Sequence, residues 1–355
     1  MANNGAPDTL NKTDKTLNSD RIQDALYGFT RSQILFSALD LQIFTAIAKT
    51  RLNRQNNTQG LVASLGQGGQ YVSQRGIALL LDGLVGMGFI TKDADGCYDL
   101  PSDIAEFLVE DKPHYLGGMV THCKRLYENW GMLTDAVRAG QPVGGAQSLT
   151  QLETYFSELV KGLYVSNYPT AKQLAKALKV GVERKGQHIL DVAGGSGVWS
   201  IALLEADATS EATLLDFPTV VEVAEEFVTQ HKLQDRYHYW PEDLEVADFP
   251  ENKFDMAVLG NICHALGAYS TEKLIAQMYK TLKPGGEIVI VDFVPDDARA
   301  KPGWPLIFAV NMLVSTPEGN VFSAGEYRTW FEAAGFSKFE TRALDSEVTV
   351  LIGVK

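Results

Sequence analysis

The sequence predicts a mixed α/β fold, in which a mostly parallel sheet ends in an antiparallel hairpin and follows a mainly helical N-terminal domain. Three observations predict it. An apolar run stops at closely spaced glycines within residues 189–197 and continues as a helical pattern. Strand-like and helix-like segments alternate regularly after residue 187. The last two strand-like segments are separated only by residues 345–347, which leaves no room for a crossover helix.

The glycine-rich bend at residues 189–197 reads Ile-Leu-Asp-Val-Ala-Gly-Gly-Ser-Gly and precedes the helical run at 198–206. Glycine lacks the Cβ that would keep a ligand away from the backbone, and free amides at a helix start attract electron-rich groups. Asp191 falls at the end of the strand, where open α/β sheets bind ligands. The bend therefore predicts a ligand-binding turn, although an ordinary turn has the same pattern.

A second acidic residue, Asp216, ends the next apolar run at residues 212–215. A carboxylate here suits the two hydroxyls of a ribose, while the simpler alternative is a cap for the helix predicted from Thr219 onward. Together, the bend and Asp216 favour a nucleoside-containing cofactor. A nicotinamide dinucleotide is disfavoured, because the run 195–200 lacks the third glycine of the G-x-G-x-x-G pattern.

The strand-like segments of the C-terminal half alternate with helical patterns. They lie at residues 188–192, 212–215, 237–240, 254–260, 287–294, 336–344 and 348–354. Because the connection between the last two is short, these two strands must be antiparallel. A parallel sheet that closes with such a hairpin is unlike a dinucleotide-binding domain.

The composition excludes several classes of partner. The 355 residues, 45% of them hydrophobic, are enough for more than one core, and the net charge of −13 disfavours nucleic acids and anionic membranes. Cys97, Cys123 and Cys263 lie far apart without a C-x-x-C pair, which predicts a reducing, cytoplasmic location and no metal site. Residues 1–20 are polar and predict a disordered tail without a signal peptide, and no apolar run has membrane-spanning length.

The N-terminal segment at residues 21–112 has a winged-helix pattern. Apolar residues recur at helical spacing over 22–47, Ser73 can cap a further helix, and residues 89–100 carry a hairpin signal. That further helix displays Arg75 and otherwise mostly leucine and glycine, which disfavours DNA binding. The many hydrophobes of 22–47 predict burial either against a partner subunit or in the domain's own core.

Helical patterns continue through residues 113–180, with expected breaks at 140–142 and near Pro169. Aromatic and sulfur-containing side chains collect here, among them Trp130 and Phe156. They predict either the lining of an apolar substrate pocket or an ordinary core.

Residues 191–197 resemble the D-x-G-x-G-x-G signature of S-adenosylmethionine-dependent methyltransferases, with Ala193 in place of the first glycine. Further matching segments span nearly the whole chain from about Arg21, at residues 41–44, 215–218, 242–244, 260–266, 282–286, 311–314 and 334–336. The chain thus resembles the small-molecule O-methyltransferases with an N-terminal winged-helix-like dimerisation domain, a group that includes plant phenylpropanoid and bacterial natural-product or pigment enzymes.

The resemblance implies the domain organisation. It implies a class I methyltransferase domain at residues 181–355, with a Rossmann-like sheet of seven strands and a C-terminal antiparallel hairpin. It also implies a homodimer formed through residues 21–112, with a helical linker and substrate-pocket segment at 113–180.

The resemblance also implies which residues bind S-adenosyl-L-methionine. The glycine loop would face its amino-acid and ribose parts, Asp216 would hold the ribose hydroxyls, Phe217 would pack on adenine, and Asp243 would contact the adenine amino group. For Asp243, a solvated loop carboxylate is the simpler alternative. The implied set comprises Asp191, Ala193, Gly194, Gly195, Gly197, Asp216, Phe217, Asp243, Leu244 and Asn261.

The resemblance places a general base at His264, after the fourth strand of the C-terminal sheet, and an orienting carboxylate at Asp292. An imidazole that titrates near neutral pH can accept the proton of a phenol or alcohol as the methyl group moves. Alternatively, His264 packs or caps at the start of the following helix. The pattern departs from the family in three places. Ala265-Leu266 replace the usual Asp-Trp, Gly260 replaces a frequent lysine, and Val321 falls where a second carboxylate is expected, for which Glu318 or Glu326 would have to substitute.

The acceptor pocket implied by the resemblance draws on six residues, Trp130, Phe156, Phe308, Asn311, Met312 and Val321. Asn311 would orient a hydroxyl or a carbonyl, or is simply a helix-surface amide. The others indicate a flat or apolar small-molecule acceptor, such as an aromatic, quinone-like or pigment compound. The alternatives to O-methylation are C- or N-methylation by proximity on the same scaffold, and a non-catalytic winged-helix regulator.

Overall fold

The chain folds into two compact units that divide between Glu110 and Asp111. A computed structural model describes residues 18–67, 71–144 and 149–355, without the side chains of 149–155 and 158. Most of the predicted tail at 1–20 therefore lies outside the described residues. The domain boundaries drawn from the sequence after residues 112 and 180 stay predictions.

The first unit consists of helices around a small hairpin. Its elements are α1 (Asp20–Asp40), α2 (Ile43–Arg51), α3 (Thr58–Gly66), α4 (Gln74–Gly86), β1 (Thr91–Lys92), β2 (Tyr98–Asp99) and α5 (Ser102–Phe107). Ser73 caps α4 as predicted, since its Oγ accepts a hydrogen bond from the Gly76 amide at 3.3 Å. Phe44 of α2, Leu81 of α4 and Tyr98 of β2 are fully buried in this unit. The helix and hairpin order predicted for this segment is confirmed.

One face of α1 carries large apolar side chains that the unit does not cover. Ile22, Leu26 and Phe29 are between 54% and 63% exposed. Phe36, Ala38 and Leu39, nearer the end of α1, are buried. Exposed apolar patches of this kind mark interaction surfaces.

The second unit surrounds one large sheet with helices. Its helices are α6 (Gly117–Gly131), α7 (Leu133–Ala139), α8 (Leu149–Ala177), α9 (Val198–Ala206), α10 (Pro218–Gln230), α11 (Cys263–Leu266), α12 (Ala268–Thr281), α13 (Gly303–Ser315) and α14 (Ala324–Ala334), with a 3-10 turn at Gln234–Arg236. The expected break near Pro169 is wrong, because α8 continues through this proline. Met132 separates the end of α6 from the start of α7.

The sheet has the predicted mixed topology. Its strands are β3 (His188–Val192), β4 (Glu211–Asp216), β5 (Tyr237–Pro241), β6 (Phe254–Gly260), β7 (Leu282–Asp292), β8 (Ser337–Ala343) and β9 (Thr349–Val354). The described strands follow the order β5-β4-β3-β6-β7-β9-β8, and β9 is antiparallel to both of its neighbours. Strand β7 begins five positions before its predicted start at 287.

The centre of the sheet positions the candidate site. Strand β3 lies between β4 and β6 and is parallel to both, so the connections that leave the carboxyl ends of β3 and β6 run in opposite directions, to β4 and to β7. Ile189 packs into the core on one face and Leu190 into the core on the other, both fully buried. A crevice beyond the carboxyl ends of such strands is where open α/β sheets bind ligands.

Candidate active site

The glycine loop after β3 leaves no room for side chains at two positions. A Cβ on Gly194 would lie 2.7 Å from Asp191 Cγ, and a Cβ on Gly197 would lie 2.4 Å from the hydroxyl of Tyr237. Gly197 also has a φ of 73°, which disfavours any other residue. Ala193 has a φ of 50°, so the alanine that replaces the first glycine of the motif adopts a left-handed backbone.

Asp191 lies under this loop and is fully buried. Its Oδ2 accepts hydrogen bonds from the amide of Ser200 at 3.2 Å and from the Ser200 hydroxyl at 2.5 Å, while Oδ1 is enclosed without a partner. The Ser200 hydroxyl also contacts the Tyr237 hydroxyl at 2.6 Å. Burial raises the pKa of Asp191 to about 6, and the nearby Asp216 adds to the increase. A buried carboxylate oxygen without a donor is a binding position for a donor or a cation.

Asp216 holds the loop from the end of β4. Its Oδ2 accepts a hydrogen bond from the Gly195 amide and its Oδ1 from the Phe217 amide, both at 2.8 Å. No side-chain hydrogen bond caps the start of α10, so Asp216 does not have the capping role considered as an alternative. Burial raises the pKa of Asp216 to about 6. Each carboxylate oxygen has a second lone pair that can accept from a ribose hydroxyl.

The residues predicted around adenine lie beyond β4 and β5. Asp243 is half-buried and its Oδ1 accepts from the Glu245 amide at 2.9 Å, so it shapes the turn after β5. Leu244 packs against the hydrophobic core on the face of the sheet that Leu190 also contacts. The ring of Phe156 lies nearly parallel to that of Phe217, at 20° and 6.4 Å between centroids. Phe156 thus lies beside a predicted cofactor residue, whereas the sequence had grouped it with the acceptor pocket.

Strand β6 ends at Gly260, whose missing side chain makes space for Trp199 of α9. A Cβ on Gly260 would lie 2.1 Å from Trp199 Nε1. The next residue, Asn261, has a φ of 60° and a buried Oδ1 without a hydrogen-bond partner. Sequence reasoning missed Trp199, because its spacing was that of any buried helical residue.

His264 and Asp292 form a buried pair between α11 and the end of β7. The Nδ1 atom of His264 lies 2.6 Å from Asp292 Oδ1, and the His264 amide donates to Asp292 Oδ2 at 3.1 Å. The Phe293 amide donates to Asp292 Oδ1 at 2.7 Å, which fixes the carboxylate. Because a carboxylate accepts the proton on Nδ1, the neutral ring presents Nε2 as an acceptor. No described residue forms a hydrogen bond with Nε2, so it is available for a substrate proton.

Aromatic side chains surround the imidazole. The Phe308 ring of α13 meets it edge-on, at 4.9 Å between centroids, and Phe293 lies 4.5 Å from Phe308. Met312, one turn further along α13, is buried. Trp304 packs at the start of the same helix, 6.3 Å from Phe308. This wall is apolar and suits a flat acceptor.

The described residues place no second carboxylate at His264. Val321 is fully buried, and Glu318 is exposed. Glu326 is exposed and forms a capping box at the start of α14, with its Oε2 accepting from the Ser323 amide at 2.7 Å. The substitution of either glutamate for the missing carboxylate is therefore wrong. Instead, the buried hydroxyl of Tyr327 reaches Asp292 Oδ2 at 3.5 Å, a contact that no sequence signal indicated.

Trp130 and Asn311 meet across α6 and α13. The indole Nε1 donates a hydrogen bond to Asn311 Oδ1 at 3.0 Å, and Asn311 is 9% exposed. Asn311 is thus buried, which excludes the helix-surface amide considered as an alternative.

Comparisons with known proteins cover both units of the chain. A model of the O-methyltransferase domain matches residues 130–337, and a model of the O-methyltransferase dimerisation domain matches residues 23–111. The chain belongs to the O-methyltransferase family. It is accordingly an enzyme that uses S-adenosylmethionine as methyl donor.

Relatives match this O-methyltransferase over nearly their full length. It is 27% identical to the tetracenomycin polyketide synthesis 8-O-methyltransferase of Streptomyces glaucescens, over 93% of this chain and 94% of that protein. It is 26% identical to the 3-hydroxy-5-methyl-1-naphthoate 3-O-methyltransferase of Streptomyces sahachiroi, over 90% of each. The structure of human N-acetylserotonin methyltransferase in complex with S-adenosylmethionine has the same fold, with a TM-score of 0.82, 22% identity and coverage of 98% and 99%.

The residues present fit this methyl donor. It carries an ammonium and a sulfonium, and the loop region offers the unpaired Oδ1 atoms of Asp191 and Asn261 as acceptors. The missing Cβ atoms of Gly194 and Gly197 let the loop lie directly over Asp191 and Tyr237, which brings the loop backbone close to the Asp191 carboxylate. Among the described residues, no three His, Cys, Asp or Glu side chains come together as around a metal ion. No helix in the described ranges is long and apolar enough to cross a bilayer.

Proposed function

We propose that this enzyme methylates a phenolic hydroxyl of a small aromatic secondary metabolite, with His264 as general base. The observation that carries the proposal is the His264–Asp292 pair, at 2.6 Å, whose imidazole packs against the ring of Phe308. The polyketide and naphthoate enzymes to which the chain is similar support an aromatic acceptor.

The protein residues would handle the proton. Nε2 of His264 takes the hydroxyl proton as the new oxygen–carbon bond forms, and the Asp292 carboxylate stabilises the resulting imidazolium through Nδ1. Bound S-adenosylmethionine supplies an electrophilic methyl group, whose carbon–sulfur bond breaks as a neutral thioether leaves. The packed rings of Phe293 and Phe308 exclude water and hold the acceptor plane against the base.

The loop residues would hold the methyl donor. Asp216 would accept from the ribose hydroxyls, and the unpaired oxygens of Asp191 and Asn261 would accept from its ammonium. Phe217 and Phe156 would pack on adenine, with Leu244 and Asp243 at its edge. The backbone of Ala193, Gly194, Gly195 and Gly197 would approach the donor closely.

The proposal is tested by incubating the enzyme with S-adenosylmethionine labelled in its methyl group and a panel of phenols, naphthols, hydroxyquinones, aromatic amines and activated carbon acids. We expect the label on oxygen, as identified by mass spectrometry and NMR of the product. Label on carbon or nitrogen only would contradict the proposal and favour methylation by proximity. No label on any acceptor, together with retained DNA affinity, would favour a regulatory protein.

Affinity for S-adenosylmethionine should fall as the medium becomes acidic. The pKa values of Asp191 and Asp216 are raised to about 6 by burial, and a cationic ligand favours the ionised carboxylates. Binding therefore lowers both pKa values and releases protons. We expect the dissociation constant to rise by up to about tenfold per pH unit for each carboxylate as the pH decreases below about 6.

Calorimetric titrations in two buffers with different ionisation enthalpies measure both the affinity and the proton release. In the ligand-free protein, the same raised pKa values favour the folded state at low pH. For a carboxylate whose native pKa is raised, the contribution to stability is complete below its unfolded pKa and is lost as the pH rises through about 6. Loss of affinity below about pH 6 would thus not come from unfolding driven by these groups. A constant affinity, or proton uptake, would contradict the prediction.

We further propose that the enzyme is a homodimer through its N-terminal unit, with a second copy of the chain covering the exposed face of α1. The dimerisation-domain match and the exposed Leu26 and Phe29 support it. The double substitution Leu26→Glu with Phe29→Glu should halve the mass measured by light scattering, because unpaired carboxylates are costly in an apolar interface. The control is Leu52→Glu, at a leucine that is 88% exposed outside α1. A double variant of unchanged mass would contradict this interface.

A further inference from the structure

The hydrogen bond between Trp130 and Asn311 fixes which way the asparagine amide points. An indole nitrogen can only donate, so the atom 3.0 Å from Trp130 Nε1 must be the carbonyl oxygen of Asn311. The two ends of an amide are otherwise hard to distinguish, but here the chemistry of the partner decides between them. The amide nitrogen of Asn311 therefore points away from Trp130 and offers two N–H donors.

These donors have no acceptor within the described parts of the chain. No described residue accepts a hydrogen bond from Asn311 Nδ2, although the residue is only 9% exposed. Nδ2 is also absent from the fully enclosed polar atoms without partners, so it retains access to solvent or ligand. A buried amide donor that is held in place and unused is a position for an acceptor atom of a ligand.

Phe308 connects the residue that carries the unused donors with the proposed base. Asn311 follows Phe308 by three positions on α13, and side chains at this spacing share one face of a helix. Phe308 packs edge-on against His264 at 4.9 Å between centroids. Asn311 and His264 are therefore both neighbours of Phe308, and they offer an amide donor and a proton acceptor respectively.

We infer that the natural acceptor is a phenol with a carbonyl oxygen beside the hydroxyl that becomes methylated, and that Asn311 binds this carbonyl. The inference rests on the proposed function and narrows its substrate class to hydroxyaryl ketones and hydroxyquinones. Trp130 is then a positioning residue, which acts on the acceptor through the Asn311 amide.

A hydrogen bond from Asn311 to the acceptor carbonyl would make the hydroxyl proton easier to remove. In a free hydroxyaryl ketone, the hydroxyl donates an internal hydrogen bond to the neighbouring carbonyl, which makes its proton harder to remove. When Asn311 Nδ2 donates to that carbonyl instead, the hydroxyl is free to turn its proton towards Nε2 of His264. The same N–H stabilises the negative charge that spreads to the carbonyl as the proton leaves. This N–H donor thus releases the hydroxyl from its internal hydrogen bond and also stabilises the transition state.

The test compares 1-hydroxyanthraquinone, whose carbonyl adjoins the hydroxyl, with 1-hydroxyanthracene, which has the same ring outline without it. Asn311→Asp preserves an oxygen for Trp130 but replaces the N–H donors by a second acceptor. We expect Asn311→Asp to lower the ratio of kcat/KM for 1-hydroxyanthraquinone to kcat/KM for 1-hydroxyanthracene by about 10- to 100-fold. Trp130→Phe should lower the same ratio by about three- to tenfold, mainly through kcat, because the amide can then rotate.

The matched control is Asn252→Asp, an exposed asparagine in a turn whose Oδ1 accepts from Lys355 Nζ at 2.9 Å, and it should leave the ratio unchanged. Equal losses with both acceptors in Asn311→Asp would indicate a structural role only and overturn this inference, while the proposed function would stand. If the wild-type enzyme methylates neither acceptor and no phenol of the panel, the proposed function fails and the inference fails with it.

Discussion

Replacing His264 with glutamine is expected to lower kcat by about 10²- to 10⁴-fold, the range that general-base catalysis contributes. Glutamine is close to histidine in size, but it cannot accept a proton near neutral pH. The affinity for S-adenosylhomocysteine should stay within about twofold, because the proposed donor-binding residues lie on other elements. Single-turnover methylation with labelled donor measures the chemical step, and calorimetry measures the affinity.

A variant of the carboxylate separates a general base from a packing residue. In Asp292→Asn the imidazole keeps a partner for Nδ1 but loses the negative charge that stabilises the imidazolium, so we expect a smaller loss of about 10- to 100-fold. A His264→Gln variant that retains more than about a tenth of the wild-type kcat would indicate methylation by proximity alone.

Replacing Asp216 with alanine should raise the dissociation constant for S-adenosylhomocysteine by about 10²- to 10⁴-fold. Two hydrogen bonds from ribose hydroxyls to a charged acceptor would be lost, each worth about 1.5–3 kcal/mol. The amides of Gly195 and Phe217 would also lose the carboxylate that positions them, so the loop itself would be less ordered. Calorimetry with S-adenosylhomocysteine measures the change without requiring turnover.

The matched control for this prediction is Asp235→Ala, which removes an exposed carboxylate in the 3-10 turn before β5. Its dissociation constant should equal that of the wild type. Asp216→Asn keeps acceptor capacity without the charge, and its affinity should lie between those of the wild type and Asp216→Ala. If Asp216→Ala binds within about threefold of the wild type while remaining folded, Asp216 does not hold the ribose.

The regular parts of the fold were predictable because their sequence signals are local. The alternation of strands and helices, the glycine bend and the short connection before β9 each depend on neighbouring residues, and the sheet confirms them. Pro169 shows the limit of such signals. Proline removes only one helical hydrogen bond, so a long helix held by its surroundings can continue past it.

The contacts of the candidate site were less predictable, because they join residues far apart in the chain. The resemblance paired His264 with Asp292, but nothing local indicated that Tyr327 would also reach this carboxylate. Likewise, Trp130 and Asn311 were both assigned to the pocket, while their hydrogen bond depends on how α6 and α13 pack. The orientation of that amide, which carries the substrate inference, could only come from the structure.

The space shared by Trp199 and Gly260 has an evolutionary consequence. A single added carbon at residue 260 would overlap the indole, so the two positions cannot change independently. A lineage that acquired a lysine at 260 would first have to exchange Trp199 for a smaller residue, and intermediates with both large side chains would be selected against. Residues 199 and 260 should therefore covary among descendants of this enzyme. The absence of the lysine is then a property of the pair and not an isolated loss.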